Sequence, residues 1–288
     1  PSTSRRTRTP CARNSAGSAR APNSRKDGRS TAPSNITGIG KLGDWRVNSG
    51  NDSVILYTLW SQGWPYSNVI NQVLDPSGNT WYLAGCAPVA IAQIMAYHEY
   101  PVRCTLTGYS DVVYDWSEMK SSRYGSSLSV EGKREVGTLL YEVGVRTKAE
   151  FGTAGTPAAV KYYAPAFRSM GYATPSAKQS YSLAAVRSSI NAHKPVLIWG
   201  YALKTETPRS FLWFKWYKTS YSEGHAWVID GYRNMSCTAT DVATGADVVF
   251  TADYVHCNLG WGGTDNGFYL SGVFDTNHVP LSYRSTYG

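Results

Sequence analysis

Apolar residues in this chain recur at helix spacing through its first half and at strand spacing through its second. The apolar run Val54-Ile55-Leu56-Tyr57-Thr58-Leu59-Trp60 leads into a polar and Gly/Pro stretch, Ser61-Gln62-Gly63-Trp64-Pro65-Tyr66. Beyond the turn signals Pro76-Ser77-Gly78-Asn79, the residues Val89, Ile91, Ile94, Met95 and His98 recur as on a buried helix. Pro88 has no N–H to donate and suits a first helical turn, so the helix begins at or just after Cys86, and Tyr100-Pro101 stops it. Val136, Leu139, Leu140 and Val143 predict a second helix over Glu135–Val145. Further helices are predicted from Ala158 to Met170, ended by Gly171, and from Leu183 to Ala192. From there the pattern changes. Pro195-Val196-Leu197-Ile198-Trp199-Gly200 reads as a buried strand, and Ala226-Trp227-Val228-Ile229 as another that starts at His225. Val255–Asn258 ends a third strand and runs into a Gly-rich turn. Helices followed by strands predict an α+β fold.

Composition changes this picture in one place. The chain has 288 residues, 42% of them hydrophobic, with 10 Trp and 21 Tyr, enough for one large core. The formal net charge is +8, and that whole excess lies in residues 1–41, where nine Lys and Arg face Asp27 alone. Residues 1–40 are too poor in large apolar side chains to bury a core, and are expected to be a disordered basic tail, a propeptide remnant or an artefact of a truncated frame. A phosphate-binding arm is the alternative, but no basic face follows it, so no nucleic-acid partner is expected. Residues 41–288 would form the folded domain, with order beginning near Leu42-Gly43-Asp44-Trp45. No apolar stretch reaches about 18 residues, so no membrane-spanning helix is expected. The chain starts at Pro1 rather than Met, which suggests a fragment or a processed product.

The candidate chemistry centres on Cys86. At a helix N-terminus the unpaired N–H groups favour thiolate over thiol, although a small buried Cys packing a helix start is the plainer reading. His225, in Glu223-Gly224-His225-Ala226, alone reads as a surface or core histidine. Asn258 is uncharged and can accept a hydrogen bond from an imidazole N–H, and Trp261 could shield that bond. Nucleophile, base and orienter would then be Cys86, His225 and Asn258. Gln62 is either an ordinary loop amide or a donor to an oxyanion formed beside Cys86. No CxxC or paired Cys/His spacing exists, which argues against a redox or zinc site, and acyl transfer through a thiol and an imidazole needs neither a metal nor an organic cofactor.

Three motifs carry a resemblance. Gly85-Cys86 with Ala92-Gln93-Ile94-Met95-Ala96-Tyr97-His98, then Gly224–Gly231, then Asn258 with Gly260-Trp261-Gly262-Gly263, resemble the streptopain family of cysteine peptidases. The likeness runs from about Leu56 to Phe274, in the family's order. It implies a papain-like fold, secretion from a bacterium, and cleavage of protein or peptide substrates without a cofactor. It also implies Cys86 as nucleophile, His225 as base, Asn258 as orienter, Gln62 on the oxyanion side, and Thr156, Gly224 and Trp261 along the substrate cleft. Leu259 stands where the family has Trp, Ala87-Pro88 replaces the usual residues after the nucleophile, and Lys204–Ser222 reads as an unusually long aromatic-rich loop. The family's inhibitory propeptide is expected to be missing or reduced to residues 1–50. A monomer is expected.

Two other readings stay open: another thiol acyl-transfer enzyme, such as an amidase or transglutaminase, and an inactive relative using the 204–222 loop for adhesion. Cys237 and Cys257 are expected at opposite ends of two antiparallel strands, about 30 Å apart and unbonded. Cys104 has no obvious partner either, so no structural disulfide is expected.

Overall fold

The computed structural model describes residues 39–51, 54–173, 180–211, 214–275, 280–282 and 285–287. In chain order the elements are β1 (Ile39–Leu42), β2 (Arg46–Asn51), α1 (Asn68–Leu74), α2 (Cys86–His98), α3 (Trp116–Met119), α4 (Val130–Arg146), α5 (Tyr163–Ser169) and α6 (Leu183–Asn191). Strands β3 (Val196–Phe211), β4 (Phe214–Asp241), β5 (Asp247–Asn258), β6 (Gly267–Leu270), β7 (Val273–Asp275), β8 (Pro280–Ser282) and β9 (Ser285–Tyr287) follow. The main sheet runs β6-β5-β4-β3-β9, with β1 and β2 also on β4. Helices first and an antiparallel sheet second is the expected α+β fold.

Strand alternation explains how the two halves join. Along β4, Ala226 and Val228 face one way and join a core with the α2 residues Val89, Ala90 and Met95. Trp227 and Ile229 face the other way and pack with Val186 and Ile190 of α6. Both faces of this strand are covered, which is why its sequence is apolar without alternation. Helix α2 is buried almost throughout, since Ala87 to Ala96 are all inaccessible. It is the central rod of the helical half.

Several boundaries differ from the sequence expectation. Helix α4 starts at Val130 rather than Glu135, because the Ser129 hydroxyl caps it by accepting from the Gly132 N–H at 3.0 Å. The helix expected over Ala158–Met170 is a 3-10 turn, Val160–Tyr162, and then α5, with Pro165 in its first turn. Proline donates no N–H and so fits within the first turn but not deeper. Strand β1 begins at Ile39, inside the segment expected to be tail; residues 1–38 lie outside the described residues.

The largest correction concerns 204–222. It is not a loop but two strand arms, with β3 and β4 in register from Val196↔Ile229 out to Phe211↔Phe214. His225 therefore lies within β4, not at a strand start. Helical and turn signals are sparse between 201 and 223, and the aromatic and β-branched content suits a ribbon.

Cys237 and Cys257 are unbonded as expected, but Cys237 lies inside β4 rather than at its end, so the two are closer than the expected ~30 Å. Cys257 pairs with Ile229 and Cys237 with Phe250, so the two are separated by seven residue steps along β5, about 23 Å. Cys86, Cys104, Cys237 and Cys257 are all free thiols.

Candidate active site

Cys86 is the first residue of α2, and the backbone before it explains its placement. Gly85 sits at φ 96°, a region closed to most side chains. A Cβ there would also stand 2.8 Å from the Thr156 Cβ. Glycine thus lets the chain turn sharply against the 152–157 loop and present the thiol at the helix tip. Thr156 holds that loop in place, donating its hydroxyl to the Leu83 carbonyl at 2.7 Å and accepting from the Gly152 N–H at 3.2 Å.

The backbone N–H of Ala226, the residue after His225, favours the Cys86 thiolate. Helix tip and sheet meet here, where Cys86, His225 and Ala226 line one cleft. Burial pushes the Cys86 thiol up, while the N–H groups of Ala226, Ala87 and Cys86 itself pull the other way. The lowered pKa expected at a helix start is therefore not what the resting site has: desolvation outweighs the N–H groups. His225 shifts in the complementary direction, its imidazolium held down to about 4 by burial. Each shift disfavours a lone ion.

His225 is fixed by three groups. Its Nε2 lies 2.9 Å from the Leu259 carbonyl oxygen. A carbonyl only accepts, so Nε2 carries the hydrogen and Nδ1 carries the lone pair of the neutral ring. The Trp261 ring stands 4.7 Å away, tilted by 38°, and the Trp227 ring stacks nearly parallel at 5.9 Å.

Asn258 does not orient His225. Its Oδ1 accepts from Gln93 Nε2 at 3.2 Å and from the Gly260 N–H at 3.2 Å, and its Nδ2 donates to the Thr58 carbonyl at 2.9 Å. The carboxamide is fully engaged with α2 and its neighbours, and the backbone of the next residue takes over the imidazole. Sequence reading missed Leu259 because a backbone carbonyl leaves no side-chain signature. Leu259 itself is buried, with 2% of its surface exposed, so it also supplies apolar cover in place of the expected Trp.

A cleft of about 770 Å³ gathers the remaining residues. Gln62, Cys86, Thr156, Gly224, His225 and Trp261 all line it; Asn258 lies behind the wall. Lys148, Glu150, Tyr163, Trp199 and Tyr201 line it too. Among the described residues no group of three His, Cys, Asp or Glu is placed to hold a metal. No described helix is long and apolar enough to cross a membrane.

The model of the Peptidase C10 family matches residues 60–269, well over half of the chain. The chain belongs to the C10 family of cysteine peptidases. No curated protein sequence matches it significantly. Among solved structures, active wild-type interpain A cysteine protease from Prevotella intermedia is similar at a TM-score of 0.57 and 20% identity, covering 84% of this chain and 95% of that one. A prointerpain A fragment from the same organism is similar at a TM-score of 0.56 and 21% identity, covering 84% of this chain and 72% of that one. At these identities the likeness speaks for the fold, and it agrees with a helical half and an antiparallel half meeting at a cleft.

Proposed function

We propose that this C10 peptidase is a secreted, monomeric endopeptidase that cleaves proteins through Cys86 and His225. The observation that carries the reading is that Cys86, at the tip of α2, and His225, on β4, line one cleft. His225 Nδ1 takes the thiol proton as sulfur attacks the peptide carbonyl carbon. The developing oxyanion falls near the start of α2, where unpaired backbone N–H groups and the Gln62 amide can donate to it. The imidazolium then protonates the leaving amine, and a thioester remains on Cys86. Water, giving its proton to His225, hydrolyses the thioester, and the thiol regains its proton from the ring. Leu259 and Trp261 keep the ring in one tautomer and partly out of water throughout.

A cleft of about 770 Å³ has room for a stretch of substrate chain. Thr156, Gly224 and Trp261 are the substrate-contacting positions in this reading. The relation of one solved neighbour to a pro-form supports a propeptide as a further partner here.

Mass spectrometry of a casein digest tests the proposal. Wild type should release peptides with two new internal termini, and Cys86→Ser none. Stepwise loss of terminal residues would refute the endopeptidase assignment, and cross-linked products would identify an acyl transferase. No products from either protein would leave an inactive binding relative as the better reading.

A further inference from the structure

Gln93 is polar, wholly buried and not used by the chemistry above. Burying a carboxamide is costly unless its atoms are paired, and here they are. Its Oε1 accepts from the Thr58 hydroxyl at 3.1 Å, the Trp60 N–H at 3.1 Å and Asn258 Nδ2 at 3.3 Å. Its Nε2 donates to Asn258 Oδ1 at 3.2 Å.

The position of these bonds matters more than their number. Gln93 follows Cys86 by seven residues, which on an α-helix is about two turns and the same face, about 10 Å along the axis. The face that presents the thiol to the sheet therefore also presents this carboxamide. Its partner Asn258 sits opposite Val228 on β4 and immediately precedes Leu259, whose carbonyl holds His225. The Trp60 bond reaches a third part of the site, because the Trp60 carbonyl accepts from the Gly262 N–H at 3.0 Å, next to Trp261. Chain 58–60 also leads directly to Gln62. One side chain thus ties the nucleophile's helix to the supports of the base, the ring cover and the Gln62 loop.

We infer that Gln93 is a positioning residue for the reaction of Cys86 with His225, acting through Asn258 to fix the spacing of helix and strand. The inference rests on the peptidase reading. A purely structural role is the competing account, and Glu142 offers its control. Glu142 is equally buried and accepts from the Thr105 N–H at 3.0 Å and the Tyr114 hydroxyl at 2.8 Å, but on α4 it touches nothing in the cleft.

The test compares Gln93→Met, Asn258→Leu, the double variant and Glu142→Gln with wild type, each normalised to folded protein well below its melting temperature. The readouts are kcat and KM on a peptide substrate, and the rate of Cys86 alkylation by iodoacetamide across pH. A displacement of about 1 Å can cost about 100-fold in rate. Gln93→Met should therefore lose about that factor in kcat with KM within about threefold, and its alkylation profile should change in parallel. Asn258→Leu should match it, and the double variant should be no worse than the poorer single, as for two residues acting as a unit. Glu142→Gln should lower the melting temperature alone. If Gln93→Met and Asn258→Leu behave like Glu142→Gln, with unchanged kcat and alkylation, the positioning role is overturned. Should the single variants fail to fold, the double, which strands neither carboxamide on an apolar partner, carries the same readouts. A wild type that cleaves no protein would sink the peptidase reading only, because the alkylation profile still reports the spacing.

Discussion

The two walls of the cleft hold their reacting groups by opposite means. On the helical wall, Cys86 is placed by its neighbours in sequence: Gly85 makes the turn, α2 begins at once, and Pro88 sits in the first helical turn. On the sheet wall, His225 is placed from a distance, by a carbonyl 34 residues on, by the Trp261 ring and by the stacked Trp227. A locally built position tolerates change elsewhere and fails abruptly at its own backbone. A position built from remote contacts degrades in steps as each contact goes.

The largest effect should come from removing the proposed base. His225→Ala should lower kcat by about 10⁴-fold or more, in the range seen when one member of a catalytic unit is deleted. Stopped assays with purified folded variant check this, and retained turnover would mean the remote contacts hold a ring without a chemical role.

Next comes the local wall. Gly85→Ala puts a methyl 2.8 Å from the Thr156 Cβ at a φ that side chains rarely adopt. The strain alone is about 1–3 kcal/mol, and displacement of the helix tip should cut kcat/KM by about 100-fold. A variant with wild-type kinetics would show that the turn is not what presents the thiol.

Trp261→Ala should act more gently and on pH. The imidazolium is held down to about 4 by burial, below its ordinary value, so wild-type kcat/KM should keep its base down to about that pH. Opening the ring to water restores solvation of the charged form, so the pKa rises towards about 6.5 and activity is lost at a higher pH. A pH–rate profile with an unmoved acid limb would show that Trp261 does not set the burial of His225.

The smallest effect probes the helical wall away from the cleft. Burial raises the Glu135 carboxyl to about 7, with the Asp115 N–H opposing. An acid with a raised folded-state pKa keeps a proton that the unfolded chain has lost, so its burden on stability grows from about pH 4.5 and is complete above about pH 7. Glu135→Gln should therefore gain about 1–2 kcal/mol at pH 8, nothing at pH 4, and leave kinetics alone. Urea denaturation at the two pH values decides it.

Local pattern carried the helical half well. The Cys86 helix, its stop before Tyr100-Pro101 and the short helix at 183 all follow from apolar spacing and from Gly and Pro chemistry, which act over a few residues. Motif likeness brought Gln62, Thr156, Gly224, His225 and Trp261 to the same site, and the cleft does gather them. The ribbon across 204–222 reads as a loop in the sequence because its two paired arms carry no strict apolar–polar alternation.

What sequence alone determined is the setting of Cys86, since a thiol, an early proline and apolar residues at helix spacing specify a helix tip within a few residues. What tertiary structure decided is which groups meet that thiol and its base. The Asn258 side chain could be read as the orienter, but its carboxamide is taken by Gln93, and the imidazole falls to the Leu259 backbone. The protonation balance was equally beyond the sequence. A helix N-terminus argues for a thiolate, but the burial that opposes it is created only when β4 closes over α2. Hydrogen bonds between side chains 165 residues apart, and the exclusion of water by packed walls, exist only once the chain has folded.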